Sequence, residues 1–313
     1  MAEILVLGGA HIDRRGRISG ATAVGASNPG AWHQEAGGGG FNAARSLARL
    51  GHTVTLISPR GGDADGEAVS QAARAAGVID RPFTFLDRQT PSYTAILEQD
   101  GNLVIALADM ELYKLFSARR LSVRAVRDSI EATDFLLTDA NLPAETLAEL
   151  GRMARQFGKP LAGIGISPAK VIRYVSELSN FDMIFMNEAE ARALTGRETP
   201  NYREWPSIMR QAGLKGGAIT RGREEVIAWN ATESAALLPP QLSAIGDVTG
   251  AGDGFAAGFL HATLEGKSLP AALSVGVASA RLALASEMAT AENLTQALLA
   301  DTLALVPEAE IVL

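Results

Sequence analysis

The stretch Gly37-Gly-Gly-Gly-Phe-Asn-Ala-Ala-Arg-Ser-Leu-Ala-Arg-Leu-Gly51, followed by the apolar run Val54–Ile57, decides the class of fold. Four glycines lead into a segment with helical spacing, whose apolar face is formed by Ala43, Leu47 and Leu50. The apolar run that follows is typical of a strand buried on both faces. This succession of glycine turn, helix and buried strand predicts part of an α/β fold.

The same alternation continues along most of the chain. The predicted strands are Ile4–Leu7, Val54–Ile57, Phe135–Leu137, Leu161–Ile166, Met183–Met186, Gly217–Thr220 and Val226–Trp229. The predicted helices are Asn42–Leu50, Gly66–Ala76, Ala144–Phe157, Glu188–Leu194 and Gly252–Leu264. Because strands that alternate with helices form βαβ units, we predict a mainly parallel central sheet covered on both faces.

Two segments interrupt this alternation. Residues 14–36 are rich in Gly, Ala, Ser and Arg, and residues 89–110 alternate like a β-hairpin with a turn at Asp100-Gly101. We expect the two segments to form a small β-sheet lid, and residues 1–13, 37–88 and 111–313 to form the α/β domain.

Composition excludes several classes of protein. The 313 residues are 47% apolar, carry a formal net charge of −7 and include no cysteine, which excludes disorder and thiol chemistry. No apolar run is long enough to cross a membrane, and the acidic balance argues against a nucleic-acid partner. The N-terminus lacks a secretion signal, so we expect a cytoplasmic protein. The four histidines show no metal-ligand spacing, and we expect His33, His52 and His261 at the surface.

The segment Asp247-Val-Thr-Gly-Ala-Gly-Asp-Gly-Phe255 carries the clearest chemical signal. A glycine-rich turn that opens a helix presents backbone N–H groups and the positive end of the helix dipole to an anion. Asp253 would repel a phosphate, but it could act as a general base towards a hydroxyl that attacks one. The alternative is that Asp253 only caps the helix.

Two further segments suggest a ligand beside this turn. The amide of Asn42 follows the glycines 37–40, which allow close approach of a ligand or form only a flexible loop. Asp13 follows the first strand and could accept hydrogen bonds from sugar hydroxyls, although an Asp there is often only a turn residue.

The segment Asn187-Glu-Ala-Glu190 follows another apolar strand. Its carboxylate could hold Mg²⁺ through water, or the two side chains could simply cap a helix. Thr220-Arg-Gly222 also follows a strand, and by itself it indicates only a turn.

Taken together, the glycine-Asn segment near residue 40 and the Gly-Ala-Gly-Asp segment near residue 250 resemble the two signature motifs of the PfkB carbohydrate kinases, the ribokinase-like family. The order and spacing of the motifs and the lid-like insertions also match, so that the resemblance covers nearly the whole chain. It implies a three-layer α/β/α domain with a β lid, and ATP-dependent phosphorylation of a sugar or nucleoside hydroxyl.

The resemblance also implies roles for individual residues. It makes Asp253 the catalytic base, with an anion hole formed by the N–H groups of Gly250, Ala251 and Gly252. It places sugar contacts at Asp13, Gly38, Gly39, Asn42 and Asn141, and nucleotide contacts at Asn187, Thr220, Gly222 and Ser279. Glu190 is implied for Mg²⁺ through water, and Asp247 for a monovalent cation such as K⁺. The chain departs from the family at His11, where Asn is frequent, and at Val248, where Thr is frequent.

Four local features most resemble the pseudouridine kinases of the family: Gly8-Gly-Ala-x-x-Asp13, Ser27-Asn-Pro-Gly30, Thr90-x-x-Tyr-x-Ala-x-Leu97 and Ala108-Asp-Met-Glu111. This implies pseudouridine 5′-phosphate as product, with Ser27, Asn28 and Thr90 near the base. The alternatives are a ribokinase or other sugar or nucleoside kinase of the family, and a non-catalytic sugar- or nucleotide-binding sensor. Apolar residues in the hairpin 92–107 further suggest a homodimer through the lid.

Overall fold

The computed structural model describes residues 1–242 and 249–312. Its strands are β1 Glu3–Leu7, β2 His11–Ile18, β3 Gly30–Gly37, β4 Thr53–Ile57, β5 Pro59–Gly61, β6 Ile79–Asp80, β7 Phe83–Phe85, β8 Ser92–Leu97, β9 Leu103–Asp109, β10 Phe135–Asp139, β11 Leu161–Ile164, β12 Met183–Asn187, β13 Gly217–Thr220, β14 Val226–Trp229, β15 Ser234–Leu237 and β16 Glu310–Val312. Its α-helices are α1 Gly39–Arg49, α2 Ala64–Ala75, α3 Arg124–Ala132, α4 Ala144–Gln156, α5 Pro168–Val171, α6 Glu188–Thr195, α7 Trp205–Gln211, α8 Ala251–Leu264, α9 Leu269–Ala285 and α10 Gln296–Leu303.

The central sheet has the strand order β16-β15-β14-β13-β12-β11-β10-β1-β4-β6. The strands from β6 to β13 in this order are parallel, and β14, β15 and β16 add an antiparallel edge. The chain leaves β1 towards β4 on one side and later returns to β10 on the other. Such a switch in strand order opens a crevice at the carboxyl ends of the strands, where open α/β sheets bind ligands.

Helices cover both faces of this sheet, because the strands alternate between two buried sides. Ile4 and Val6 of β1 pack into one apolar cluster with α1, α2, α8, α9 and α10. Leu5 and Leu7 pack into a second cluster with α3 to α7. This three-layer arrangement confirms the predicted fold class. None of the helices in the described part of the chain has the length and apolarity that a bilayer crossing requires.

The small second sheet has the order β3-β2-β8-β9 and is drawn mostly from the two segments that interrupt the alternation. The predicted boundaries are wrong at two places, because β2 begins at His11 rather than after residue 13 and β3 extends to Gly37. β2 pairs antiparallel with β3 and parallel with β8, and β8 forms a hairpin with β9. Because Asp13 of β2 lies opposite Glu35 and Tyr93, these three side chains share one face of the sheet. The alternate residues lie on the opposite face.

His52 and His261 are buried, so the expectation that both lie at the surface is wrong. Nε2 of His52 is 2.9 Å from Nδ1 of His261, which lies on α8. The N–H of Ala2 donates to Nδ1 of His52 at 3.3 Å, so that the proton of His52 lies on Nε2 and is donated to His261. Burial lowers the pKa of His52 to about 4 and also lowers the pKa of His261.

We expect this pair to make the free energy of unfolding pH-dependent. In the unfolded chain His52 takes up a proton near its ordinary pKa of 6.5, whereas in the folded protein it does so near 4. The contribution of His52 to the free energy of unfolding is therefore present above about pH 6.5 and is lost as the pH falls towards 4. We expect this loss to be about 1–2 kcal/mol after allowance for solvent screening. Urea unfolding of the wild type and His52→Gln, at about pH 7 and about pH 4.5, measures the difference.

The control for this prediction is His33→Gln, because the side chain of His33 is 48% exposed. The difference in stability between wild type and His52→Gln should shrink at the lower pH, and the control should follow the wild type. Equal pH dependence in all three proteins would contradict the assignment.

Candidate active site

A cavity of about 500 Å³ lies at the carboxyl ends of the central strands, beside the switch between β1 and β10. It is bounded by loops that follow several parallel strands and by the start of α8. Eleven of the residues singled out from the sequence line this cavity: Asp13, Gly38, Gly39, Asn42, Asn141, Asn187, Glu190, Thr220, Gly250, Gly252 and Asp253. The fold therefore brings together motifs that are more than 200 residues apart in the chain, as Asn42 and Asp253 are.

A buried carboxylate, Asp139, holds the loops at the base of the cavity. Its Oδ2 accepts the N–H groups of Gly9 at 2.9 Å and Gly40 at 2.8 Å, and its Oδ1 accepts that of Asn141 at 2.9 Å. A Cβ on Gly40 would lie 3.0 Å from Oδ2, so the close approach requires glycine there. Because hydrogen bonds to an ionised acceptor are strong, Asp139 fixes three loops relative to one another.

Asp13 lies on β2 and is oriented by a buried relay. The hydroxyl of Tyr113 lies 2.8 Å from Nδ1 of His11, and Nε2 of His11 lies 3.3 Å from Oδ1 of Asp13. Burial raises the pKa of Tyr113, so its hydroxyl keeps its proton and can donate it to Nδ1. Nε2 of His11 then faces Asp13, and the imidazole occupies the position at which the family frequently has Asn. This arrangement holds Asp13 as an acceptor facing the cavity.

Asp253 is held by a second relay, which begins at Arg45 on α1. Nη2 of Arg45 donates to Oδ1 of Asn42 at 2.7 Å, and Nδ2 of Asn42 donates to Oδ2 of Asp253 at 2.8 Å. The guanidinium fixes which end of the amide faces Asp253. Arg45 is only 4% exposed, and burial lowers its pKa to about 10.

The carboxyl group of Asp253 has an unusual pKa. Burial raises this pKa to about 6, and the negative charges of Asp139 and Asp13 act in the same direction. The hydrogen bond from Asn42 opposes the shift without cancelling it. A carboxylate with a pKa near neutrality is suited to accept a proton from a hydroxyl group.

The start of α8 faces the same cavity. Gly250 is the N-cap, with φ of 77°, and Asp253 lies in the first turn, so the alternative that Asp253 only caps the helix is wrong. The first-turn N–H groups of a helix have no acceptor within the helix, and here they include those of Ala251 and Gly252. A Cβ on Gly252 would meet no heavy atom of the described residues within 4 Å, so that part of the chain leaves this backbone open to a ligand.

Asn187 and Glu190 form a capping box at the start of α6 and also line the cavity. The side chain of Asn187 accepts the N–H of Glu190 at 2.9 Å, and Oε2 of Glu190 accepts the N–H of Asn187 at 2.9 Å. Burial raises the pKa of Glu190 to about 7, and the charge of Asp253 adds to this effect. A buried carboxylate beside a second one is a site where a cation would be favoured.

Some residues singled out from the sequence lie outside the cavity lining. Ser27 is exposed in the loop between β2 and β3, and the side chain of Asn28 bonds to the backbone of that loop, at Ala23 and Ala26. Thr90 donates its hydroxyl to Asp63, the N-cap of α2, at 2.6 Å.

Three further residues singled out from the sequence also lie outside the cavity lining. Ser279 is buried on α9, where its Cβ approaches Gly258 of α8. Gly222 is exposed after β13, and Ala251 lies in the first turn of α8 without lining the cavity. Asp247 and Val248 lie outside the described residues, and so does the cation site expected at Asp247.

Four residues of the site were not singled out from the sequence: Asp139, Tyr113, Arg45 and Lys170. Asp139 lies at the end of an apolar strand, as Asp13 does after the first strand. This position at the carboxyl end of a strand was the only sequence signal for Asp139. Nζ of Lys170 donates to Oδ1 of Asn141 at 2.6 Å, and Lys170 lines the cavity. No motif marks Lys170, because it lies on α5, a helix of four residues that the sequence pattern did not resolve.

The chain is similar to known proteins over most of its length. The model of the pfkB family of carbohydrate kinases matches residues 1–296. The pseudouridine kinase of Escherichia coli strain K12 is 25% identical over 311 residues, which cover 98% of this chain and 97% of that protein. The ribokinase of Haemophilus influenzae is 26% identical over 253 residues, which cover 79% of this chain and 80% of that protein.

Solved structures show the same fold. A carbohydrate kinase from Agrobacterium tumefaciens is 60% identical and superposes with a TM-score of 0.91 over all of both chains. The Arabidopsis thaliana ribokinase complexed with ribose and ATP superposes with a TM-score of 0.84 at 20% identity, over 96% of this chain and 98% of that one.

Proposed function

We propose that this protein transfers the γ-phosphoryl group of ATP to the 5′-hydroxyl of pseudouridine. The premise is that the chain belongs to the pfkB family of carbohydrate kinases and is a phosphotransferase acting on hydroxyl groups. The observation that carries the chemistry is the position of Asp253. A carboxylate whose pKa is raised to about 6 lies in the first turn of a helix whose N-terminus opens into the same cavity.

In this mechanism the protein positions the reactants and stabilises charge. Asp13 and Asn42 hold the sugar hydroxyls, and Asp253 accepts the proton of the 5′-hydroxyl as it attacks the phosphoryl group. The N–H groups of Gly250, Ala251 and Gly252 stabilise the negative charge that develops on the transferring group. The small sheet, whose β2 carries Asp13, would close over the cavity and exclude water.

Glu190 is the residue that we propose to hold Mg²⁺ through water. Its buried carboxylate offers oxygen atoms, which are the ligands Mg²⁺ prefers, and the neighbouring charge of Asp253 favours a cation there. The ion would offset charge on the ATP phosphates. Asn187 and Thr220, which line this part of the cavity, would contact the nucleotide.

The choice of pseudouridine rests on the local sequence features of the lid and on the E. coli relative, which matches almost end to end. ADP release in the presence of pseudouridine, uridine, adenosine, ribose and fructose tests it. The highest kcat/KM is expected with pseudouridine. A signal with ribose alone would replace the proposal by a ribokinase, and binding without ADP release would support a non-catalytic sensor.

We also propose that the protein is a homodimer that pairs through the small sheet. The face of this sheet opposite Asp13 exposes three large apolar side chains: Trp32, Ile105 and Leu107 are 65%, 64% and 71% exposed. The whole of β9 is exposed, and it is an edge strand. An exposed edge strand has unpaired backbone N–H and C=O groups that can pair with another strand. A second copy of this chain supplies a strand with the same exposed apolar side chains.

Light scattering should therefore give about twice the chain mass of 32.8 kDa at micromolar concentration. Leu107→Lys should shift the protein to the monomer, because it places a charge in the apolar face. The matched control, Leu305→Lys, changes an exposed leucine elsewhere and should leave the dimer intact. A wild-type monomer would overturn the proposal.

ATP is a cytoplasmic substrate, so the proposed reaction also favours a cytoplasmic location.

A further inference from the structure

The amide of Asn141 has a buried donor without a partner. Asn141 is 3% exposed, and its Nδ2 has no hydrogen-bond partner among the described residues. Its Oδ1 accepts from Nζ of Lys170 at 2.6 Å, and its backbone N–H donates to Asp139. Because an ammonium can only donate, Lys170 fixes Oδ1 towards itself and leaves Nδ2 as the donor that awaits an acceptor. Leaving such a buried donor unsatisfied costs free energy, which a ligand acceptor would recover.

Lys170 presents further donors at the same place. An ammonium has three N–H groups, and one of them is used by Asn141. Burial lowers the pKa of Lys170, while the charge of Asp139 partly restores it. The two side chains therefore offer hydrogen-bond donors and no free acceptor.

Asn141 and Lys170 lie where the main cavity adjoins a second pocket. Together with Met110 they line both the main cavity and an adjoining pocket of about 410 Å³. Gly250, Gly252 and Asp253 line only the main cavity. A substrate whose 5′-hydroxyl meets Asp253 would thus extend its other end towards Asn141 and Lys170.

We infer that Lys170 and Asn141 form a two-donor subsite that binds a carbonyl oxygen of the nucleobase. This inference rests on the proposed function and replaces Ser27, Asn28 and Thr90, which lie outside the cavity lining, as the residues that recognise the base. A subsite made of donors accepts a uracil oxygen and disfavours an amino group in the same place, because two donors would then face each other.

The test compares pseudouridine with C-phenyl riboside, which has the same sugar and C-glycosidic bond but no carbonyl group. Lys170→Met should raise the KM for pseudouridine by about 10- to 100-fold, the effect of losing a hydrogen bond to a charged donor. The KM for C-phenyl riboside should stay within about threefold, and kcat should change little for either. Lys170→Arg should restore part of the affinity for pseudouridine. Lys267→Met, on an exposed turn, is the control for the loss of a lysine.

The outcomes separate this inference from the proposed function. A wild type that prefers uridine to pseudouridine overturns the choice of substrate, and the subsite then stands if Lys170→Met weakens uridine selectively. If Lys170→Met affects pseudouridine and C-phenyl riboside equally, or neither, the subsite is overturned while the substrate preference of the wild type stands. A wild type that phosphorylates no nucleoside overturns both.

Discussion

Asp253→Asn is expected to lower kcat by about 10²- to 10⁴-fold, the usual contribution of a positioned general base. The substitution keeps the shape of the side chain, and its Oδ1 can still accept the hydrogen bond that Asn42 now donates to the carboxylate. Because it removes a charge that burial disfavours, the variant should be at least as stable as the wild type. ADP release and thermal unfolding measure the two effects, and the KM for the nucleoside should change much less than kcat.

The pH profile of the wild type gives an independent measure of the same group. Asp253 must be ionised to accept a proton, so kcat/KM should fall about tenfold per pH unit below about pH 6. Glu190, with a pKa of about 7, titrates in the same cavity. If Glu190→Gln still shows the fall in kcat/KM below about pH 6, that fall is due to Asp253. Asp301→Asn, an exposed change on α10, serves as the control. Near-normal turnover by Asp253→Asn would contradict the assignment of the base.

Most of the central sheet could be predicted from the sequence because parallel strands buried on both faces are continuous apolar runs. β13 and β14 begin and end at the predicted residues. β15, with the sequence Ser-Ala-Ala-Leu, was not predicted although all four residues are buried. Small residues give little hydrophobic signal, and β15 forms only because β14 and β16 pair with it.

The site was predictable where a motif follows a strand, because the carboxyl ends of parallel strands meet at one edge of the sheet. The partners of the motif residues were not predictable. Arg45 has the spacing of a solvent-facing helical residue, but tertiary packing buries it against Asn42. Likewise, nothing local distinguishes the buried His52 and His261 from the exposed His33. Burial of a polar side chain is decided by partners distant in the chain, and a local pattern does not contain them.

Gly250→Ala is expected to lower kcat by about 10²- to 10³-fold, the effect of misplacing donors that stabilise developing charge. Gly250 has φ of 77°, a conformation that costs an L-residue roughly 1–2 kcal/mol. A Cβ there would lie 1.9 Å from the carbonyl oxygen of Ala289, so the turn must also move. Since Gly250 is the N-cap of α8, that movement displaces the first-turn N–H groups and Asp253 together.

Gly266→Ala is the matched control, because it separates backbone strain from the clash. Gly266 has φ of 74°, and a Cβ there would meet no heavy atom within 4 Å in the part of the chain that the structure describes. Both variants should lose stability through the strained φ, as measured by thermal unfolding, but only Gly250→Ala should lose turnover beyond its loss of folded protein. Equal kcat in the two variants would mean that the position of this turn does not limit catalysis. A selective loss would instead support the view that glycine is required at residue 250 because the backbone itself, held against Ala289, is part of the catalytic machinery.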